Sequence, residues 1–178
     1  MAGIRPGRCY KYNTSPAYTR VAKNPGDSYI TGIPGSKIVH YDMGDAKRKF
    51  DMQLSLVTEM PMILRHNSLE AARVAANKVL EKEVGVANYF FKVRVYPHHV
   101  LRENAMATGA GADRVQTGMR LSFGKPSARA ARATKKTTVM SIAFNESEER
   151  IGQVKKAAKT ALKKLPTGLK ITIKPLAA

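Results

Sequence analysis

The 178-residue chain has no tryptophan and one cysteine, Cys9. A single thiol cannot close an intramolecular disulfide or build a multi-cysteine zinc site, so neither device holds this fold together. Carboxylates are scarce as well. Thirteen Asp and Glu stand against 31 Lys and Arg, for a net charge of +18. Self-repulsion of that size is relieved by a polyanion, and counterion release from nucleic acid is the usual driving force. A membrane surface is the competing polyanion, but no window approaches the roughly 20 apolar residues of a spanning helix. The start, MAGIRPGRCYKY, lacks the apolar core of a secretory leader, which points to an intracellular chain. Hydrophobic residues make up 43%, enough for one folded domain with a real core.

Residues 1–36 are punctuated by Pro6, Pro16, Pro25 and Pro34 and by five glycines, which prevents a continuous helix or strand. Arg5, Arg8, Lys11, Arg20 and Lys23 alternate with Tyr10, Tyr12 and Tyr18. Cations meet phosphates and tyrosines stack on unpaired bases, so this arm suits irregular RNA; the plainer alternative is a strap whose tyrosines cap the core. From Lys37 the pattern turns strand-like, KIVHYDM and then KFDMQLSLVTE, with Gly44 and Asp45 as the turn of an antiparallel pair. Asn67 and Glu70 have the spacing of a capping box for a helix over 68–82. Leu69, Ala72, Ala76, Val79 and Leu80 form its buried stripe, leaving Arg73, with Arg65 and His66, as RNA candidates.

The stretch 88–124 is the most informative. Alternation predicts Phe91, Val93 and Val95 on the core face of a strand, with Phe90, Lys92, Arg94 and Tyr96 opposite. Lys92 and Arg94 then lie about 6.6 Å apart, a spacing suited to successive phosphates. Pro97 ends the strand, and His98 and His99 point in different directions, a poor chelating pair, so no metal or cofactor is expected. The segment 103–113 is small and Gly-rich with no core periodicity, and its Gly-x-Gly lacks the strand, third glycine and helix of a dinucleotide fingerprint. Between Leu101 and Lys136 eight Lys or Arg meet two acids, so residues 101–136 are read as loop and basic segment. His98, His99 and Glu103 suggest the alternative of an RNA-modifying enzyme, but nothing in their spacing holds them together. Residues 137–174 read as strand, helix and strand: TTVMSIAFN, an Asn145 N-cap, a stripe of Ile151, Val154, Ala158, Ala161, Leu162 and Leu165 to about Lys164, and alternating Leu169, Ile171 and Ile173. The lysines of that helix read as solvated surface, with membrane or peptide binding a distant alternative.

Four stretches carry a further signal: RPGRCYK from Arg5, YTR from Tyr18, ILRHNSLEAARVAANK from Ile63, and KVRVYPHHVLRENAMATGAGADRVQTGMR from Lys92 to Arg120. With them the chain resembles, over nearly its whole length, the universal L16 family of large-subunit ribosomal proteins, called ten-e in archaea and ten in eukaryotes. The short C-terminal end looks archaeal. The resemblance implies a single α+β domain of hammerhead type, a mixed or antiparallel sheet packed by two main helices, with a basic arm and a long flexible loop. It implies a non-catalytic, cytoplasmic protein of the ribosome. Its partners would be large-subunit rRNA, 5S rRNA, the tRNA acceptor arm and neighbouring ribosomal proteins, without a membrane or a small-molecule substrate. The residues expected to meet RNA are Arg5, Arg8, Lys11, Arg20, Lys92, Arg94, His98, His99, Arg102, Arg114, Arg120 and Lys125. The loop facing tRNA would carry Arg102, Glu103, Asn104, Met106, Thr108, Gly109, Gly111 and Arg114. The chain departs from the expected pattern at Gln116, Thr117 and Leu121.

Overall fold

A computed structural model describes residues 4–10, 17–19, 23–27, 30, 32–104, 118–120 and 122–176. Its strands are β1 (Asp42–Gly44), β2 (Met52–Thr58), β3 (Met62–Arg65), β4 (Tyr89–Val93), β5 (His99–Glu103), β6 (Lys125–Ala133), β7 (Thr138–Phe144) and β8 (Leu169–Pro175). The helices are α1 (His66–Glu83) and α2 (Glu148–Leu162). Antiparallel pairing builds a five-stranded sheet, β1-β4-β7-β2-β8, and a three-stranded sheet, β3-β6-β5.

The alternating residues of β2, β4 and β7 dictate which face is covered. Leu54 lies opposite Ile142 and Leu56 opposite Met140, while Phe91 and Val93 register with the same two residues from the other side. These side chains are buried together with Leu69, Ala72, Ala76 and Leu80 of α1 and Val154, Ala157, Ala158 and Ala161 of α2. Each fully buried large residue contributes about 1.5–3 kcal/mol relative to exposure, and the alanines let the helices come close to the sheet. Met62, Leu64, Ala131 and Ala133 extend this core into the smaller sheet, so both sheets share one hydrophobic interior. The α+β class expected from the sequence is the class observed.

Several local expectations are corrected. β1 pairs with β4, not with β2, so Gly44 does not turn a hairpin. Its φ of 86° and a position where a Cβ would lie 2.2 Å from the Tyr89 carbonyl oxygen explain the glycine instead. The capping box at Asn67 does not form. α1 starts at His66, and the Glu70 carboxylate is taken by Arg73, at 2.6 and 2.9 Å, and by the Val39 N–H at 3.3 Å. Arg73 is thus a buried ion-pair partner, 9% exposed, not an RNA candidate. In α2 the N-cap is Ser147, and the helix ends at Leu162. Residues 99–103 and 125–133, read as strand end and basic segment, are strands β5 and β6.

A buried threonine ties the two sheets together. Thr58, at the end of β2, donates its hydroxyl to the Thr134 carbonyl at 2.5 Å and accepts from the Thr137 N–H at 2.9 Å. This clamps the β6–β7 turn, where Lys136 adopts a left-handed φ of 66°.

Candidate nucleic-acid interface

The arm docks on the smaller sheet. Ile4 and Tyr10 pack against Leu101, Ala128 and Ala130, and the Arg65 guanidinium donates to the Arg5 carbonyl at 2.6 Å. Arg65 is therefore engaged in holding the arm. The Arg5 Nε meets the Glu103 carboxylate at 2.5 Å, with Glu103 largely buried and Arg5 half exposed. Burial, and then the nearby Glu103 charge, raise the Tyr10 phenol above its ordinary pKa. Arg8 stands exposed on the short helical turn Gly7–Tyr10 and has no side-chain partner among the described residues.

A second piece of the arm, 17–19, zips along β5. The Val100 N–H donates to the Tyr18 carbonyl at 2.8 Å, and the Tyr18 N–H donates to His99 Nδ1 at 3.0 Å. That acceptor role requires His99 to be neutral at Nδ1. The ring is only 8% exposed and stacks on Tyr18 at 5.6 Å between centroids. Burial, followed by the charges of Arg132, His98 and Arg102, pulls its pKa down to about 4. His99 is accordingly a positioning group for the arm, and its buried ring corrects the expectation of direct RNA contact. His66, the other buried histidine, receives the Lys37 N–H at 3.3 Å, and burial lowers its pKa too. His98 is half-buried and bonds back to the Tyr96 carbonyl.

Arg102 closes the neck of the Gly-rich segment. Its guanidinium carbon lies 3.6 Å from the Phe123 ring centroid and 4.5 Å from that of Tyr18, and it donates to the Phe123 carbonyl at 2.6 Å. Asn104 Nδ2 bonds the Gly118 carbonyl at 3.2 Å. Gly124 completes the neck: its φ is 83°, and a Cβ there would lie 2.7 Å from the Glu103 carbonyl carbon. Arm, β5 and both ends of the segment are thus joined in one stack. Arg120 and Lys125 are exposed beside it, without side-chain partners among the described residues. Lys11, Arg20, Met106, Thr108, Gly109, Gly111 and Arg114 lie outside the described residues.

Lys92 and Arg94 sit elsewhere, on the helix-free face of the larger sheet. The alternation holds: Phe91 and Val93 are buried, Lys92 is half-exposed and Arg94 exposed. Lys92 pairs with Asp42 at 3.0 Å, a surface contact worth about 0–1 kcal/mol that a phosphate can displace. Arg94 Nε donates to Ser141 Oγ at 2.9 Å, which aims the rest of the guanidinium outward. Arg129, read from sequence only as part of the basic segment, donates to the Tyr96 hydroxyl at 2.9 Å while Tyr96 stacks on Tyr41. The alternation of Ala and Arg in 128–133 was the available signal.

The enzymatic alternative fails on geometry. His99 turns inward to Tyr18, Glu103 is held by Arg5, and four strand residues separate the two by about 13 Å. Among the described residues no group of three or more His, Cys, Asp and Glu could hold a metal ion, and no helix is long and apolar enough to cross a membrane.

The family model described as ribosomal protein L16p/L10e matches residues 14–172. The chain belongs to the L16p/L10e family. It is 47% identical over 173 residues to the large ribosomal subunit protein uL16 of Staphylothermus marinus, covering 97% of this chain and 95% of that protein. The proteins of the same name from Metallosphaera sedula and Methanococcus maripaludis strain C5 are 46% and 42% identical, over 97% and 96% of the chain and 95% and 94% of the relative. L16p/L10e proteins are structural ribosomal proteins and not enzymes, in keeping with a surface rich in cations and poor in convergent acid and base groups.

Proposed function

We propose that this chain is a structural constituent of the large ribosomal subunit that binds large-subunit rRNA near the 5S RNA and the aminoacyl-tRNA site and performs no chemistry. The family match across 14–172, with relatives named as large ribosomal subunit proteins, carries the assignment. The surface supports the contact with RNA. Among the described residues, Arg8, Arg120 and Lys125 surround the arm and neck without carboxylate partners, and the one acid there, Glu103, is already taken by Arg5. Those cations provide phosphate contacts, whereas Tyr18 and Phe123, meeting edge to face under the Arg102 guanidinium, form a cluster that gives the arm and the Gly-rich segment a common base. In this reading Arg102 acts from the base of the loop toward tRNA, and residues 103–114 supply the reach.

Reconstituted large subunits test the loop assignment. Replacing residues 106–112 by a short Gly-Ser linker leaves the neck intact, so incorporation into subunits is expected to stay normal while aminoacyl-tRNA accommodation slows. Normal accommodation in fully assembled subunits would refute the loop's role.

A further inference from the structure

The face of the five-stranded sheet opposite the helices is open, and its far half drew no attention from sequence. The register sets its composition: Gln53 lies beside Lys174, Ser55 beside Thr172 and Val57 beside Lys170. Together with Lys136 and Thr138, all of these except Lys170 line a shallow groove running from the β6–β7 turn along β2 and β8, which Pro175 and Leu176 also line; Lys170 shares the face just outside it. An antiparallel sheet commonly leaves one face to water, so openness alone decides nothing. Two other observations do.

The first is charge. β2, β7 and β8 contain no acidic residue, and Lys136, Lys170 and Lys174 have no ion-pair partner among the described residues. The nearest acids in sequence, Asp51 and Glu59, lie beyond the two ends of β2. Across the sheet, past the buried Ser141 that Arg94 bonds, the same face carries Lys92 and Arg94. The second is backbone conformation. Lys136 holds a left-handed φ of 66° that a non-glycine residue adopts at a cost of about 1–2 kcal/mol, and the Thr58 carbonyl, accepting the Lys136 N–H at 2.8 Å, fixes it there. The strain keeps a lysine at the mouth of the groove.

We infer that this sheet face, from Lys170 and Lys174 through Gln53 and Ser55, is a second RNA-binding surface that receives a double-helical segment. The polar part of the floor is hydroxyl and amide, with Gln53 Nε2 donating to Ser55 Oγ at 2.8 Å beside the apolar Val57, Pro175 and Leu176, and neither β2, β8 nor the β6–β7 turn offers an aromatic ring on which an unpaired base could stack. A flat hydrogen-bonding surface flanked by lysines matches the wide, shallow minor groove of A-form RNA, where 2′-hydroxyls and phosphates are presented together. Lys170 and Lys174 lie about 13 Å apart along β8, which lets them contact the backbone at separate points. The aromatic neck around Tyr18 and Phe123 suits irregular RNA, so the two surfaces divide the labour and the protein bridges two RNA segments. The inference rests on the RNA-binding reading above.

Directed hydroxyl-radical cleavage distinguishes the two ideas. Full-length protein with Cys9→Ser and either Lys174→Cys or, as reference, Arg8→Cys carries a tethered iron chelate and is bound to deproteinised archaeal large-subunit RNA. The expected result is cleavage from position 174 on both strands of one base-paired segment, and cleavage from position 8 in a different region. Cleavage from 8 with none from 174, or cuts from 174 confined to unpaired nucleotides, overturns the duplex surface and leaves RNA binding standing. No cleavage from either position overturns both. Independently, the Lys170→Glu/Lys174→Glu double variant, with an unchanged Tm, is expected to lose at least about tenfold in affinity for the same RNA near 0.1 M salt. Unchanged affinity contradicts the proposal.

Discussion

Acidification provides a direct test of how the arm is held. His99 is neutral in the fold with a pKa near 4, against about 6.5 for a free imidazole. The unfolded chain therefore binds a proton in this window that the folded chain refuses. Stability from this group is fully present above pH 6.5 and is lost as pH falls toward 4. Between pH 7.5 and 5.0 the linkage amounts to about 2 kcal/mol, with a ceiling near 3 kcal/mol below pH 4. His66, shifted in the same direction, adds to the same window, so the control is a variant and not the absolute curve. His99→Gln keeps a carbonyl acceptor for the Tyr18 N–H but cannot titrate. Urea denaturation at both pH values is expected to show the parent losing about 2 kcal/mol more than the variant. Equal losses would refute the claim that a buried neutral imidazole anchors the arm.

Arg102→Ala removes the guanidinium that lies over both the Tyr18 and Phe123 rings and the bond to the Phe123 carbonyl, which together predict about 1–3 kcal/mol of destabilisation by chemical denaturation. Amide exchange should rise at Val100, whose N–H closes on Tyr18. Thr58→Val leaves the Thr137 N–H without its hydroxyl acceptor and should cost about 1–3 kcal/mol, read as a lower midpoint in thermal melts. Gly124→Ala introduces a Cβ that the Glu103 backbone cannot accommodate and should destabilise by at least about 1 kcal/mol, with the Glu103–Lys125 end of the β5–β6 pairing loosening first in amide exchange.

The elements with long apolar periods were legible. β2, β4, β7 and both helices carry large residues at strand or helix spacing, and their buried faces are the expected ones. β6 was not, because KPSARAARA packs only methyl groups and reads as a charge run; its strand character comes from pairing with β3 and β5 on both sides. β5 was hidden by two histidines, one of which turns inward. Both helix starts shifted by two residues, because Glu70 found a stronger partner in Arg73 and Ser147 sits closer to the first turn than Asn145. Charge pointed to Arg8, Arg94 and Lys125, which are exposed, but composition could not separate cations that face outward from those that hold the fold. Arg65 and Arg73 belong to the second group, Arg102 both braces the neck and stays at its surface, and only the tertiary contacts reveal it. Lys170 and Lys174 fell outside every motif, and register places them on one face, beside Lys136 from the end of the basic segment.

The salt dependence of binding to deproteinised large-subunit RNA, measured by filter retention from 50 to 300 mM KCl, tests the central claim most directly. With Arg8, Lys92, Arg94, Arg120 and Lys125 each neutralising a phosphate, log affinity should fall against log salt with a slope of about −4 or steeper, and Arg8→Gln/Arg94→Gln should make it shallower by about 2. A flat response, or one that the double substitution does not alter, would contradict a surface built to neutralise an RNA backbone.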